Sequence, residues 1–257
     1  MSSINVSAVI IAKDAEATIR LCLQSLADLD EVIVYENGSE DDTANIAASF
    51  SNVKVIAGEF IGFGPTKNSA AEHARNAWVF SLDSDEIATP ELIDSISAID
   101  FSNEELVYSV NRHNYFQGRH VKHGGWGNDW LTRIYSRNQF AYNDAMVHEK
   151  IDVSPAATRK LIGALRHEAV SDIGQFLSKI NRYSDIRQAN NAKAYGPFVS
   201  LSKAIWAFFR SFVLYRGFLD GWRGMVIAYS NATGVFFRCM KAYARDRAAV
   251  ESPDDSS

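Results

Sequence analysis

Cysteine is scarce. Cys22 and Cys239 are the only two in 257 residues, too few and too far apart for a disulfide framework or a thiolate metal site. Both stand among apolar neighbours in helical patterns and read as buried thiols. A basic segment leading into a long apolar core is also missing from Met1 to Ile11, so no signal peptide is expected there. The uncharged stretch Gly224 to Phe237 is too short and too polar to cross a bilayer. These absences point to a cytoplasmic protein. No Gly-x-Gly-x-x-Gly follows an apolar run, which disfavours a dinucleotide oxidoreductase. A net charge of −5 argues against a general nucleic-acid binder. Internal repeats are absent, and the only biased segment is the acidic tail Glu251 to Ser257, which reads as disordered.

What is present is organised around Trp78-Val79-Phe80-Ser81-Leu82-Asp83-Ser84-Asp85-Glu86, an apolar run that stops in a carboxylate cluster. Ala77 to Leu82 reads as a buried strand. Val6 to Ala12, Glu31 to Tyr35 and Val53 to Ala57 are three more. Helical spacing lies between them: Ile19, Cys22, Leu23 and Leu26; then Ile46, Ala47 and Phe50 behind a Ser39–Asp42 capping-box spacing; then Thr66 to Ala74 with Pro65 near its start. Four alternations with short loops predict βαβ units, a largely parallel sheet and helices on both faces. Thr89-Pro90-Glu91 starts a further helix. Leu106 to Val110 and Leu131 to Ser136 are expected as strands. Asn111 to Trp130 between them, rich in His, Asn, Gly and aromatics, suits a binding loop. Asp172 to Arg187 has the pattern of an amphipathic helix. The expected organisation is a catalytic-type α/β domain over 1–168, a helical region over 169–250 and a tail over 251–257.

Carboxylates at the carboxyl ends of parallel strands face a ligand crevice. Asp83 and Asp85 there suit Mg²⁺ or Mn²⁺, cations that keep several waters and take further oxygens from phosphates. The alternative for a lone Asp-x-Asp is an acidic turn capping the next helix. Asp14, Glu16 and Glu36 follow the first two strands and could accept hydrogen bonds from a base or ribose, or else cap their helices. Lys67 could meet phosphate oxygens as a point charge, or be a solvated surface lysine.

Val9 to Glu16, Tyr35 to Thr43, Gly62 to Asn68 and Ser81 to Glu86 together resemble the inverting family 2 glycosyltransferases of GT-A (Rossmann-like) fold. Asn114-Tyr115-Phe116, His123-Gly124-Gly125-Trp126, Val147-His148-Glu149 and Gly217-Phe218-Leu219-Asp220-Gly221 resemble a narrower group within it, bacterial lipopolysaccharide-core enzymes that add β-glucose to an inner-core heptose. The family usually has Asp where Glu36 stands and Asn-Glu where Asp14-Ala15 stands. The Gln-x-x-Arg-Trp motif of processive synthases is absent, so a single transfer is expected. The resemblance implies a nucleotide-sugar donor, UDP-glucose, and a lipopolysaccharide-core acceptor. It implies Mg²⁺ or Mn²⁺ held through Asp85, with Asp83 nearer the ribose or the metal shell and His148 completing that shell, unless His148 is structural. Asp129 is the first candidate for the general base and Glu149 the second. Trp126, with His123, would shape the sugar or acceptor pocket or simply pack a core. Rival readings are another cell-surface glycan as acceptor, a nucleotidyltransferase, which would want a glycine-rich basic loop after the first strand, and a non-catalytic scaffold binding lipid or nucleotide.

Phe198 to Arg247 is basic: Lys203, Arg210, Arg216, Arg223, Arg238, Lys241, Arg245 and Arg247 stand against Asp220 and Asp246, with aromatics interleaved. That texture fits either an anionic inner-membrane surface or a helical subdomain that packs its aromatics internally or on a second subunit.

Overall fold

A computed structural model describes residues 4–144, 149–174, 176 and 194–251. The apolar runs form the expected strands: β1 Val6–Ala12, β2 Val32–Glu36, β3 Val53–Ala57 and β4 Trp78–Asp83. All are parallel, in the order β3-β2-β1-β4, and β1 and β4 are buried along nearly their whole length. Such two-sided burial is why these strands read as continuous apolar runs without alternation. Helices α1 Ile19–Gln24, α2 Thr43–Ala48 and α3 Phe63–Glu72 connect them. At α2 the Ser39–Asp42 capping box does not form; instead Asp41 Oδ1 accepts from the Thr43 amide and from its hydroxyl. Pro65 is the third residue of α3, where the missing N–H costs nothing.

Beyond β4 the sheet turns antiparallel. A short β5 Glu86–Ala88 leads into α4 Pro90–Ser97, which buries Leu92, Ile93 and Ile96, about 1.5–3 kcal/mol each. Then come β6 Val107–Phe116, β7 Arg119–His120, β8 Asp129–Ser136 and β9 Thr158–Val170. β8 pairs with β4 and β6, and β9 with β5, all antiparallel. So β6 and β8 run further into 111–130 than expected, and β9 is a strand that periodicity did not reveal. Arg159, Lys160, Gly163 and Arg166 interrupt its apolar alternation.

The chain divides into two compact units, residues 1–113 with 129–167, and residues 114–128 with 168–257. Segment 114–128 thus groups with the carboxyl-terminal region. The first unit holds two apolar clusters: one joins Val6, Ile10, Leu23 and Phe80 with α4, and the other joins Val9, Ile33, Val79 and Tyr135 with α3. Cys22 and Cys239 are both buried free thiols, as expected. In the second unit α5 Pro197–Phe209 continues through a π-helical turn, Arg210–Leu214, and packs on α6 Trp222–Glu251. Two motifs of the resemblance meet there. Asp220 accepts from the amides of Lys122 and His123 and lies 3.2 Å from His123 Nδ1, and the Gly124 amide donates to the Tyr215 carbonyl. The amphipathic pattern over Asp172 to Arg187 lies almost wholly outside the described residues.

Candidate active site

Strand register builds the site. Ala12 is level with Glu36, and Ile11 with Asp83, so the turns after β1, β2 and β4 emerge along one edge. An antiparallel neighbour brings its opposite end to that edge. Hence Asp129, the first residue of β8, and His167, level with Glu86 near the end of β9, arrive beside the Asp83–Glu86 turn.

Along this edge runs one chain of alternating charges: Glu149, Lys67, Asp83, Arg133, Glu86, Arg112, Asp129. Lys67 Nζ lies 2.7 Å from Glu149 Oε1 and 2.8 Å from Asp83 Oδ1. Arg133 Nη2 reaches Asp83 Oδ2 at 2.8 Å and Glu86 Oε1 at 2.6 Å. Arg112 Nη1 is 3.4 Å from Glu86, while its Nε and Nη2 both approach Asp129 Oδ2 at 2.8 Å. Lys67, Arg133 and Glu86 are almost wholly buried. Buried charges persist only when paired, and the pairing sets their protonation. Burial works against the Asp83 anion, but Arg133 and Lys67 together outweigh it and hold the carboxyl well below the usual carboxylate range. Burial also opposes the Lys67 charge, yet Asp83 and its neighbours raise the ammonium above the usual lysine range. Glu86 goes the other way: burial raises it, and the Asp83 charge adds to the shift against the pull of Arg133.

Asp85 has a different environment. Its Oδ2 lies 3.3 Å from His167 Nε2. The remaining carboxylates lace two loops together. Asp14, at φ 49°, accepts from the Glu40 amide while its own amide donates to Ser39 Oγ. Glu16 accepts from the Asp42 amide, and the Glu16 amide donates to Asp41. Glu36 closes its own turn by accepting from the Ser39 amide. Burial would raise its carboxyl, but hydrogen bonds from Ser39 and Gly38 leave it lowered.

A family profile described as glycosyl transferase family 2 matches residues 7–166. The chain belongs to that family. An uncharacterised glycosyltransferase of Rickettsia typhi is 29% identical over 92% of this chain and 86% of its own. The lipopolysaccharide core biosynthesis glycosyltransferase LpsC of Rhizobium meliloti is 24% identical over 93% of this chain and 92% of its own. Among solved structures, S. aureus TarS 1–349 in complex with UDP-GlcNAc superposes with a TM-score of 0.50 at 16% identity, covering 95% of this chain and 92% of that one. That likeness supports the GT-A fold.

Within this family 2 chain the expected residues that are described fall into four sets, one of them Asp85 alone beside His167. Asp83, Asp129, Glu149 and Lys67 are joined in the charge chain. Asp14, Glu16 and Glu36 hold the turns after β1 and β2. Trp126 belongs to the second unit, half-buried and edge-on to Phe176 at 5.8 Å. His148 lies outside the described residues. Lys67 is neither solvated nor open to a phosphate as it stands; it is buried between two carboxylates. The sequence reading missed Arg112, Arg133, Glu86 and His167. An arginine inside the apolar run Leu131 to Ser136, four residues after Asp129 and so on the same strand face, was the available signal for the charge chain. His167 carried no signal without β9.

Whether this edge fits a divalent cation depends on the donor set. Asp83 already balances two cations, and Asp85 with His167 brings a carboxylate and an imidazole within 3.3 Å of each other beside it. Among the described residues no cluster of three or more such side chains encloses a site. Two protein donors fit a cation that completes its shell with diphosphate oxygens and water.

Proposed function

We propose that this family 2 glycosyltransferase is an inverting, metal-dependent enzyme that transfers one hexose, glucose from UDP-glucose, to a heptose of the lipopolysaccharide inner core. The observation that carries the reading is the Asp85–His167 pair set beside the charge chain at the carboxyl edge of the parallel strands. Asp85 and His167 would hold Mg²⁺ or Mn²⁺, which when bound neutralises charge on the departing diphosphate. Lys67 and Arg133 keep Asp83 ionised and fixed in orientation, ready to accept a ribose hydroxyl. Asp14, Glu16 and Glu36 border the same edge and suit the nucleoside end of the donor. Arg112 grips Asp129 through two N–H groups on one oxygen and so orients that carboxylate toward the acceptor hydroxyl whose proton it takes. Glu149, at the other end of the chain, is the second candidate for that role. The similarity to LpsC across nearly the full length of both chains supports a core-saccharide acceptor. Such an acceptor is lipid-anchored, which places the work at the cytoplasmic face of the inner membrane.

Calorimetry tests the metal role. UDP is expected to bind more tightly with Mn²⁺ than with EDTA, and Asp85→Asn or His167→Ala to remove the difference. UDP binding that ignores metal would refute the assignment. Mass spectrometry of products from a panel of UDP- and ADP-sugars with truncated core acceptors decides donor and acceptor together.

A further inference from the structure

We infer that the segment Pro197–Leu214 lies in the plane of an anionic phospholipid bilayer, with its apolar face among the acyl chains and its basic side chains at lipid phosphates. This deepens the membrane-face reading above, but it rests on the second unit alone.

The segment is built inside out. Ser200, Ala204 and Ser211 form its buried side, and Asn231 of α6 donates to Ser211 Oγ. Phe198, Leu201, Ile205 and Phe209 recur at helical spacing and face outward, Phe198 being 87% and Ile205 62% exposed. A helix resting in water would carry these two faces exchanged. Leu214, Phe218 and Trp222, on the following turn and at the start of α6, are exposed too, and exposed Tyr229 of α6 lines one groove with Leu201 and Ile205. Exposed apolar surface on this scale marks an interaction surface. Between α5 and α6 an apolar groove of about 430 Å³, with Leu201, Ile205, Phe208 and Phe236 among its walls, offers room for an acyl chain.

Charge selects the occupant. Lys203 and Arg210, seven residues apart, are exposed on one side of the helix, and exposed Arg216 follows. The only acid between Pro197 and Trp222, Asp220, is engaged with the Lys122 and His123 amides. Lys203 lies over the Tyr195 ring at 4.3 Å and Arg210 over Tyr215 at 5.6 Å. Aromatic rings with cations beside an apolar face match the headgroup boundary of an anionic membrane. A second copy of the chain on this face would set like charges against each other. By length the segment, 18 residues with mean hydropathy 1.2, could cross a bilayer. Crossing would draw Lys203 and Arg210 into hydrocarbon and pull the small-residue face off α6; lying in plane does neither.

Flotation of the full chain with phosphatidylcholine vesicles, with and without phosphatidylglycerol, is the test. Binding should require phosphatidylglycerol and weaken with salt. Phe198→Glu with Ile205→Glu, at exposed positions, should lower partition by at least about tenfold, and Lys203→Gln with Arg210→Gln on the order of tenfold. Bromine-labelled lipid should quench the fluorescence of Trp206, and the quenching should fall in Trp206→Phe. Four results would each overturn the inference: no vesicle binding, partition unchanged in both variants, a dimer that the glutamate variants dissociate, or a segment that resists carbonate extraction as a spanning helix does. UDP binding measured without lipid is expected to be the same in all variants. Absence of UDP binding in the wild type would count against the donor assignment and leave the membrane inference standing.

Discussion

At the scale of single residues, the site is governed by pairing. Arg133 touches both Asp83 and Glu86 from a nearly solvent-free position. Removing one partner of a buried pair leaves an uncompensated charge, at a cost of about 3–5 kcal/mol. Arg133→Met is therefore expected to lower the thermal unfolding midpoint by that equivalent, and adding Glu86→Gln should restore part of it because the orphaned charge is gone. A midpoint unchanged in Arg133→Met would mean that the chain is not holding the turn. Asp129→Asn keeps shape and removes basicity. Donor binding should persist while the transfer rate falls by about 10²–10⁴-fold. If single-turnover rates stay at the wild-type level, the base is Glu149, and Glu149→Gln becomes the variant that stops transfer.

At the scale of elements, β9 decides more than its sequence suggests. It runs antiparallel to β5 and clasps the start of α4: the Thr89 amide donates to the Ala164 carbonyl, and the Ala164 amide donates back to Thr89 Oγ1. Gly163 makes the approach possible. Its φ is +89°, and a Cβ there would collide with the backbone nitrogen of Leu92. Gly163→Ala should cost about 1–3 kcal/mol or more through backbone strain and the displaced helix start. The same clasp places His167 against Asp85, so this distant variant should also weaken the metal-dependent part of UDP binding. Urea unfolding and calorimetry on one preparation would check both, and a variant with full stability would show that α4 yields freely.

For the molecule as a whole, ligand linkage gives the readout. A donor site that exists only in the folded chain stabilises it by about 2.7 kcal/mol at a hundredfold excess of ligand over its dissociation constant. UDP with Mn²⁺ should raise the unfolding midpoint, UDP with EDTA should raise it much less, and Asp85→Asn should respond alike to both. An equal shift with and without metal in the wild type would remove the cation from the donor site.

Much of this protein was legible in its amino acids alone. The apolar runs of β1, β2 and β4 announced a buried parallel core, because strands covered on both faces need no polar alternation. The abrupt change from Leu82 to Asp83 located the ligand edge, because carboxylates are expelled from such a core and gather where the strands end. The ordered motifs pointed to the family. Pairing was left to tertiary structure. Asp83 reads the same in sequence whether it faces a metal or two buried cations, and Lys67 the same whether solvated or enclosed. Those outcomes depend on which strand lies beside which, and the antiparallel placement of β8 and β9 brings Arg133 and His167 to the edge across 50 and 82 residues of chain. The capping box at Ser39 failed for the same reason, since Ser39 Oγ accepts from the Asp14 amide and the Asp42 amide donates to Glu16, both in the neighbouring loop. Local pattern is set by solvent and backbone, which act on every segment alone, whereas charge pairing over a distance exists only once the sheet has closed.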